Sequence, residues 1–219
     1  MNLDKLNLRE LQDLEKHIPA LAGFPSRVLA ETYDEFIEAL YIDIDTIIYR
    51  IEENPELRRN DNEDRLTIDI ENQLRCMGYN SSHDSKVGGH TDLSVRKGSF
   101  LWIGEAKIHR SSCDCLWEGF QQLSTRYSTG DSNQKDGGIL IYIRGKDAAS
   151  ILQRWQKHLC EKKLPNYSFS PCKIRNISFF STHKHERSGQ AFQVRHMPVI
   201  LHFDPKDKSG RTSKSICSN

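Results

Sequence analysis

Hydrophobic residues near helical spacing dominate the first sixty positions of the chain. Leucines and isoleucines recur over residues 3–18, and a stretch with two prolines and a glycine then interrupts them. Ser26 could cap a second helix that runs to about Ile51, with apolar residues on one face and acidic residues mostly on the other. The pattern predicts that residues 1–60 form a helical section, which could serve as a surface for oligomerisation or for a protein partner.

The spacing of hydrophobic residues changes after residue 62. A third helix is predicted from about Glu63 to Met77, and Gly78 is a natural stop for it. Strand patterns follow, and a short glycine-containing turn between the last two predicts a hairpin. The three strand candidates cover residues 79–85, 91–95 and 100–108.

A helix and an apolar strand complete the predicted core. The helix covers 115–127, and the strand at 139–144 is almost wholly apolar, which is typical of a strand covered on both faces. The order helix, three strands, helix, strand indicates an α/β fold with a mixed central sheet over 61–203. Another helix and a final strand pair are predicted within that range, and the basic segment 204–219 is expected to be a flexible tail.

Composition narrows the class of protein. Hydrophobic residues make up 37% and charged residues 28% of the 219 positions, which is typical of a globular chain rather than an extended disordered one. Neither a signal segment nor an apolar stretch of membrane-spanning length is present. We therefore expect a cytoplasmic protein that does not enter a membrane and whose six cysteines are free thiols.

The near-neutral net charge of +1 hides an uneven distribution. Residues 1–60 carry 7 lysines and arginines against 13 aspartates and glutamates, whereas the rest of the chain carries 24 against 17. A basic body behind an acidic front section favours a polyanionic partner that binds the body alone. Chance partition of a near-neutral chain would give the same numbers.

Three charged residues lie in the strands of the predicted hairpin. Strand side chains alternate between faces, so Glu105 and Lys107 share one face with Ile103, whereas Trp102 lies on the other. Hairpin pairing would bring Asp92, at the start of the preceding strand, beside Glu105. Two carboxylates at this separation resist ionising together unless a cation joins them.

Carboxylate oxygens in this arrangement suit Mg²⁺ or Mn²⁺, with Asp92 and Glu105 as the ligands. Such an ion lowers the pKa of a water molecule that it binds and stabilises charge on a phosphoryl oxygen. The Lys107 ammonium could orient the attacking water or offset the developing negative charge. The pattern therefore predicts metal-assisted hydrolysis of a phosphodiester.

These residues resemble the motif of the PD-(D/E)xK nuclease superfamily, which cuts nucleic acids with Mg²⁺ on a restriction-endonuclease-like αβββαβ core. The resemblance covers about residues 62–145 and is carried by Thr-Asp at 91–92, Gly-Glu-Ala-Lys at 104–107 and the helix that contains Gln-Gln-Leu at 121–123. Thr91 stands where the family name has proline. The resemblance implies a metal-dependent endonuclease with DNA favoured over RNA, and an effector role in a bacterial restriction or phage-defence system.

The resemblance also assigns roles to single residues. Asp92 matches the first acid of the motif, Glu105 the second and Lys107 its lysine. Glu63 is the best match to the acid that many members place on the first core helix, and Glu71 is the alternative.

Three further residues are candidates beside the motif. Gln122 resembles the glutamine that some members carry on the helix after the motif. His90 could touch a phosphate or a water. Arg126 could contact backbone phosphate or could be a solvated helix residue.

A function from another class fits the same sequence. The chain could be a nucleic-acid-binding or complex-assembly protein that keeps a nuclease-like fold without cutting. The helical front section is compatible with such a role, whereas the intact set of Asp92, Glu105 and Lys107 favours catalysis.

Overall fold

A computed structural model describes residues 7–15 and 17–207 of the chain. Most of the expected tail, residues 208–219, lies outside the described residues, as do residues 1–6 at the start of the first expected helix. The helices found are α1 (Leu8–Leu14), α2 (Phe24–Leu29), α3 (Tyr33–Glu52), α4 (Glu63–Cys76), α5 (Asp114–Gln121) and α6 (Ala148–Glu161). A π-helical segment, Gln122–Tyr127, extends α5, and a 3₁₀ turn at Pro55–Arg58 precedes α4.

The second predicted helix is in fact two helices. Ser26 lies inside α2 rather than at the cap, and α3 begins after Thr32. Thr32 forms a reciprocal capping box with Glu35, since the Thr32 hydroxyl accepts from the Glu35 N–H at 3.3 Å and the Glu35 carboxylate accepts from the Thr32 N–H at 2.9 Å. The prediction of one helix from Ser26 to Ile51 was wrong because this capping box was overlooked.

In the part of the chain that the structure describes, seven strands form the central sheet. The strands of the structure are β1 (Asn80–Ser82), β2 (Ser85–Lys86), β3 (His90–Thr91), β4 (Leu93–Lys97), β5 (Phe100–Ile108), β6 (Asp136–Ile143), β7 (Ser168–Pro171), β8 (Phe179–Lys184) and β9 (Ala191–Ile200). The sheet order is β1-β4-β5-β6-β9-β8-β7, and β2 with β3 forms a separate small hairpin. The β5–β6 and β6–β9 pairs are parallel and the other pairs are antiparallel, which confirms the prediction of an α/β fold with a mixed sheet.

Helices cover both faces of the sheet. Trp102, Leu140 and Met197 point towards α3 and α4, whereas Ile103 and Ile139 point towards α5 and α6. Because β6 is buried along its whole length, both of its faces can be apolar, as the sequence of this strand predicted. The result is a three-layer arrangement with one hydrophobic core on each side of the sheet.

The long helix α3 belongs to the core of the sheet. Leu40, Ile44 and Ile47 are fully buried in the same cluster as Trp102. The Tyr41 hydroxyl donates to the Gly137 carbonyl at 3.1 Å and thereby ties α3 to β6. The expected sections 1–60 and 61–203 therefore share one hydrophobic core, and the inner face of α3 is occupied by the sheet.

Every helix in the described ranges, 7–15 and 17–207, is too short or too polar to cross a lipid bilayer.

The shared core predicts a single unfolding event for the two sections. We expect Ile44→Ala to lower the free energy of unfolding by about 2–5 kcal/mol, because the fully buried side chain leaves a cavity between α3 and the sheet. Urea denaturation followed by circular dichroism should show one transition at a lower midpoint.

Leu57→Ala is the matched control, since Leu57 is 73% exposed and its truncation should change stability by less than about 0.5 kcal/mol. A separate early transition for residues 1–60, with the sheet unaffected, would contradict the shared core.

Candidate active site

The strand β5 places its charged residues on the face that α5 covers. Glu105 and Lys107 share that face with Ile103, while Trp102 and Ala106 are buried on the opposite face. Glu105 is only 2% exposed, and Lys107 is largely buried beside it. The side chains of β5 therefore alternate between the two faces of the sheet as the sequence predicted.

The strands β4 and β5 separate at Asp92. Their last paired residues are Leu93 and Gly104, and Asp92 is the single residue between β3 and β4. Beyond that point β5 continues without β4 beside it, while its other edge stays paired with β6 as far as Ile108. A notch therefore opens at this edge of β5.

Carboxylates satisfy the backbone that this separation leaves unpaired. Backbone groups of successive strand residues point to opposite edges, so the N–H groups of Ala106 and Ile108 point into the notch. The Asp92 carboxylate accepts from Ala106 N–H at 2.8 Å, and the Glu63 carboxylate accepts from Ile108 N–H at 2.7 Å. Since a buried N–H without a partner is costly, these two acids also help to hold the fold.

Glu63 reaches the notch because it is the first residue of α4. Asn62 caps that helix by accepting from Arg65 N–H at 2.8 Å, which sets where the helix begins. The alternative acid, Glu71, lies two turns further along α4 and pairs with Arg75 at 3.6 Å. The structure therefore brings Glu63, and not Glu71, to the other charged residues.

The ammonium of Lys107 lies among three carboxylates. Its Nζ atom is 2.6 Å from Glu105 Oε1, 3.7 Å from Asp92 Oδ2 and 3.7 Å from Glu63 Oε1. The second oxygen of Glu105, Oε2, is buried and has no hydrogen-bond partner among the described residues. The cluster thus contains three acids, one base and one carboxylate oxygen without a donor.

Burial and charge shift the pKa values of this cluster. Burial, and then the Asp92 carboxylate, raise the pKa of Glu105 to about 7. Burial also raises the pKa of Glu63. Burial alone would lower the pKa of Lys107, but the adjacent Glu105 carboxylate holds it above its usual range. Lys107 therefore remains a cation at neutral pH, and Glu105 is poised between its two protonation states.

A glycine lets α5 approach the charged pair. A Cβ atom on Gly119 would lie 3.1 Å from Glu105 Cγ and 3.1 Å from Lys107 Cε. Glycine weakens a helix, so its presence in the middle of this amphipathic pattern was a signal that the sequence reading missed. Gln122 follows one turn later, and its Oε1 atom is buried without a hydrogen-bond partner in the part of the chain that the structure describes.

Arg126 holds the small β2–β3 hairpin against the π-helical segment. Its Nε atom donates to the Gly88 carbonyl at 3.2 Å, and a Cβ atom on Gly88 would collide with the Arg126 carbonyl. Gly88 also has a φ of +66°, so this position requires glycine for two reasons. The hydrogen bond that the structure describes for His90 is to Asp84, at 2.7 Å, on the exposed side of the hairpin.

Tyr127 is a neighbour of the site that sequence reading missed. Its ring is buried, and burial together with the Glu105 carboxylate raises the pKa of its hydroxyl. Arg126 stacks on the ring, with 5.5 Å between the guanidinium carbon and the ring centroid. Helical spacing over 115–127 is compatible with the burial of Tyr127, but it gave no sign that the hydroxyl lies near Glu105 or that Gln122–Tyr127 is π-helical.

The carboxylate oxygens of this site are of the type that binds a divalent ion, although the side chains are not arranged around a metal position. Asp92 and Glu105 offer carboxylate oxygens, and the donor-free Oε2 of Glu105 is the atom best suited to a cation. Among the described residues, no group of three or more histidine, cysteine, aspartate or glutamate side chains is arranged to hold a metal ion. The three acids converge on Lys107 instead.

Comparison with known proteins gives no relative from which the role of this site could be inferred. No protein-family model, no curated protein and no solved structure matches the chain.

The raised pKa of Glu105 predicts how stability changes with pH when divalent ions are removed by EDTA. Between its ordinary value of 4.5 and about 7, folded Glu105 binds more protons than unfolded Glu105, so the free energy of unfolding falls as pH rises. The glutamine of Glu105→Gln cannot titrate. Across this pH range, we therefore expect the free energy of unfolding of the variant to fall by about 1–3 kcal/mol less than that of the wild type. Urea midpoints at a series of pH values measure the difference.

The matched control is Glu118→Gln, an exposed acid on α5, which should follow the wild-type curve. Identical slopes for wild type and Glu105→Gln would show that the pKa of Glu105 is not raised.

Proposed function

We propose that this chain is a metal-dependent endonuclease of the PD-(D/E)xK type that hydrolyses phosphodiester bonds in DNA. The observation that carries the proposal is the meeting of Asp92, Glu105 and Lys107 in the notch where β4 leaves β5. The element order α4, β1, β4, β5, α5, β6, with β6 parallel to β5, supports a restriction-endonuclease-like core. A role in a bacterial restriction or phage-defence system stays a prediction from the resemblance.

Asp92 and Glu105 would hold Mg²⁺ or Mn²⁺ in this proposal. When bound, the ion would polarise the phosphoryl group and help the attacking water to lose its proton. Glu105 has to be ionised to serve as a ligand, and its pKa of about 7 means that metal binding would release a proton near neutral pH.

Lys107 supplies the positive charge that the reaction needs. As water adds to phosphorus and the bond to one sugar oxygen breaks, negative charge grows on the non-bridging oxygens. The Lys107 ammonium, held protonated by Glu105, can donate a hydrogen bond to that charge. Glu63 contacts both Lys107 and the end of β5, so we assign it the role of positioning the lysine.

Gln122, Arg126 and His90 are assigned to the substrate. The unpartnered Oε1 of Gln122 can accept from the attacking water. The β2–β3 hairpin directly precedes Asp92 in sequence, and Arg126 contacts that hairpin at Gly88. Exposed cations at this place would meet backbone phosphates. His90 lies on the same hairpin and would contact a phosphate only on its exposed side.

The competing function rests on the same cluster. Three carboxylates surround one ammonium, and two of them accept hydrogen bonds from the edge of β5. The cluster could therefore serve only to satisfy this strand edge, in a protein that binds nucleic acid without cutting it. The two functions differ in what happens to a bound DNA molecule, so an assay of cutting separates them.

We expect the protein to cut plasmid or linear DNA when Mg²⁺ or Mn²⁺ is present, and EDTA to stop the reaction. Lys107→Met and Glu105→Gln should each lower the rate by at least about 100-fold, because each removes charge that acts on the phosphoryl group. Gel analysis of plasmid, linear duplex, single-stranded DNA and RNA measures both cutting and substrate class.

Lys157→Met is the control for a lost surface charge, since Lys157 is exposed on α6, and it should cut at the wild-type rate. Salt-sensitive binding of DNA by the wild type without any cutting would favour the binding protein instead.

The close approach of α5 predicts a second effect on activity. Gly119→Val would push branched side-chain atoms against Glu105 and Lys107, and we expect the cutting rate to fall at least about tenfold while DNA affinity stays unchanged. The rate is measured under saturating DNA, and affinity by fluorescence anisotropy in the presence of Ca²⁺.

The control is Glu118→Val at the neighbouring exposed position, which introduces the same side chain into α5 away from the charged pair. Equal rates for the two variants would mean that the contact between α5 and the charged pair does not matter for cutting.

A further inference from the structure

A pocket lies on the side of the sheet that α3 covers, across the sheet from Glu105 and Lys107. Its volume is about 410 Å³, which is within the range of small-ligand sites. Its walls come from α3, from the starts of β6 and β9, from β8, and from the end of β7 with the chain that follows it. The residues that matter here are Ile37, Tyr41, Asp136, Phe180, Gln193 and Arg195.

The carboxylate of Asp136 is the unusual group in this pocket. Asp136 begins β6 and is only 7% exposed. Its backbone groups are satisfied, since its N–H donates to the Tyr33 hydroxyl at 3.1 Å and its carbonyl accepts from the same hydroxyl at 3.4 Å. Its side-chain oxygens accept no hydrogen bond from residues 7–15 or 17–207.

Asp136 forms no ion pair with a cation of the described residues, although the charge of Lys135 lowers its pKa in part. Lys135, the adjacent residue, pairs with Asp34 at 2.6 Å. Arg195 on β9 pairs with Asp45 at 2.6 Å and lies over the Tyr41 ring, with 4.8 Å between the guanidinium carbon and the ring centroid. The charge of Arg195 is therefore already balanced.

An isolated carboxylate in such a place is costly. Burial raises the pKa of Asp136 to about 6, so the group is still mainly ionised at neutral pH. A buried charge without a partner destabilises a fold by several kcal/mol in general. A ligand that brings positive charge and hydrogen-bond donors would remove that cost.

The other walls indicate the shape of the ligand. Ile37, Tyr41 and Phe180 present apolar and aromatic surface to the cavity. Among the exposed lining residues, Glu38 carries negative and Lys173 positive charge, while Asp34 is paired with Lys135. A flat, apolar body with a cationic end matches this pocket, because such a ligand buries its body against the rings and its charge against Asp136.

We propose that this pocket binds an organic cation with a flat aromatic body, whose amidinium or ammonium group donates hydrogen bonds to the Asp136 carboxylate. The site is separate from the notch at Glu105 and does not depend on the proposed nuclease activity. Binding can therefore be measured whether or not the protein cuts DNA.

The probe is benzamidine, which carries an amidinium group on a benzene ring. We expect isothermal titration calorimetry to show binding with a dissociation constant below about 10 mM, and Asp136→Asn to weaken it at least about tenfold, because a charge-assisted hydrogen bond is lost. Neutral benzamide and anionic benzoate should not bind. In two-dimensional amide NMR spectra the shifts should concentrate at Ile37, Phe180 and Gln193.

A second variant supplies a positive charge to the Asp136 carboxylate from the protein itself. Gln193 pairs with Asp136 in the β6–β9 register, so Gln193→Lys would place an ammonium beside the carboxylate. We expect this variant to be more stable than the wild type and to lose benzamidine binding. It keeps the proposal testable even where Asp136→Asn folds poorly.

Glu118→Gln, on the other side of the sheet, is the matched control and should bind benzamidine like the wild type. Absence of binding at about 10 mM would overturn the proposal, as would equal binding by the wild type and Gln193→Lys. NMR shifts confined to the notch at Glu105 would also overturn it.

Discussion

The separation of β4 from β5 at Asp92 is the constraint on which the candidate site depends. A strand edge inside a protein cannot leave its N–H groups without partners, and the two that β5 exposes are those of Ala106 and Ile108. Asp92 and Glu63 satisfy them, and this requirement places two carboxylates side by side. Lys107 then offsets part of the negative charge of these two carboxylates and of Glu105, so the backbone geometry and the charge cluster stabilise each other.

The layers on either side of the sheet supply the remaining conditions. On one side, α3 and α4 form a core that holds the start of α4, and with it Glu63, at the end of β5. On the other side, α5 lies close to Glu105 and Lys107 because Gly119 has no side chain. This cover removes Glu105 from water, which explains why its pKa rises to about 7 even with an ammonium 2.6 Å away. The same three-layer arrangement buries a second carboxylate, Asp136, on the opposite side, where it accepts no hydrogen bond from the residues that the structure describes.

Much of this was open to prediction from local patterns. Alternating hydrophobicity placed Glu105 and Lys107 on one face of β5 and Trp102 on the other, since a strand has a period of two residues whatever surrounds it. The hairpin turn was enough to bring Asp92 beside Glu105. The helix boundary at Thr32 was not predicted. The interruption between α2 and α3 is marked by reciprocal hydrogen bonds between Thr32 and Glu35 rather than by a proline or glycine. The π-helical form of Gln122–Tyr127 was not predicted, since the sequence indicated one ordinary helix over 115–127.

By itself, then, the amino-acid sequence determined the mixed α/β class, the helix from Glu63 and the facing of the charged strand residues, because periodicity and turn chemistry act over a few neighbouring positions. The tertiary structure alone decided that Glu63 rather than Glu71 reaches Lys107, that α3 packs in the core of the sheet, and that Asp136 is buried with no hydrogen-bond donor from residues 7–15 or 17–207. These outcomes depend on how distant segments pack, and the burial that shifts a pKa or isolates a charge exists only once those segments are in contact.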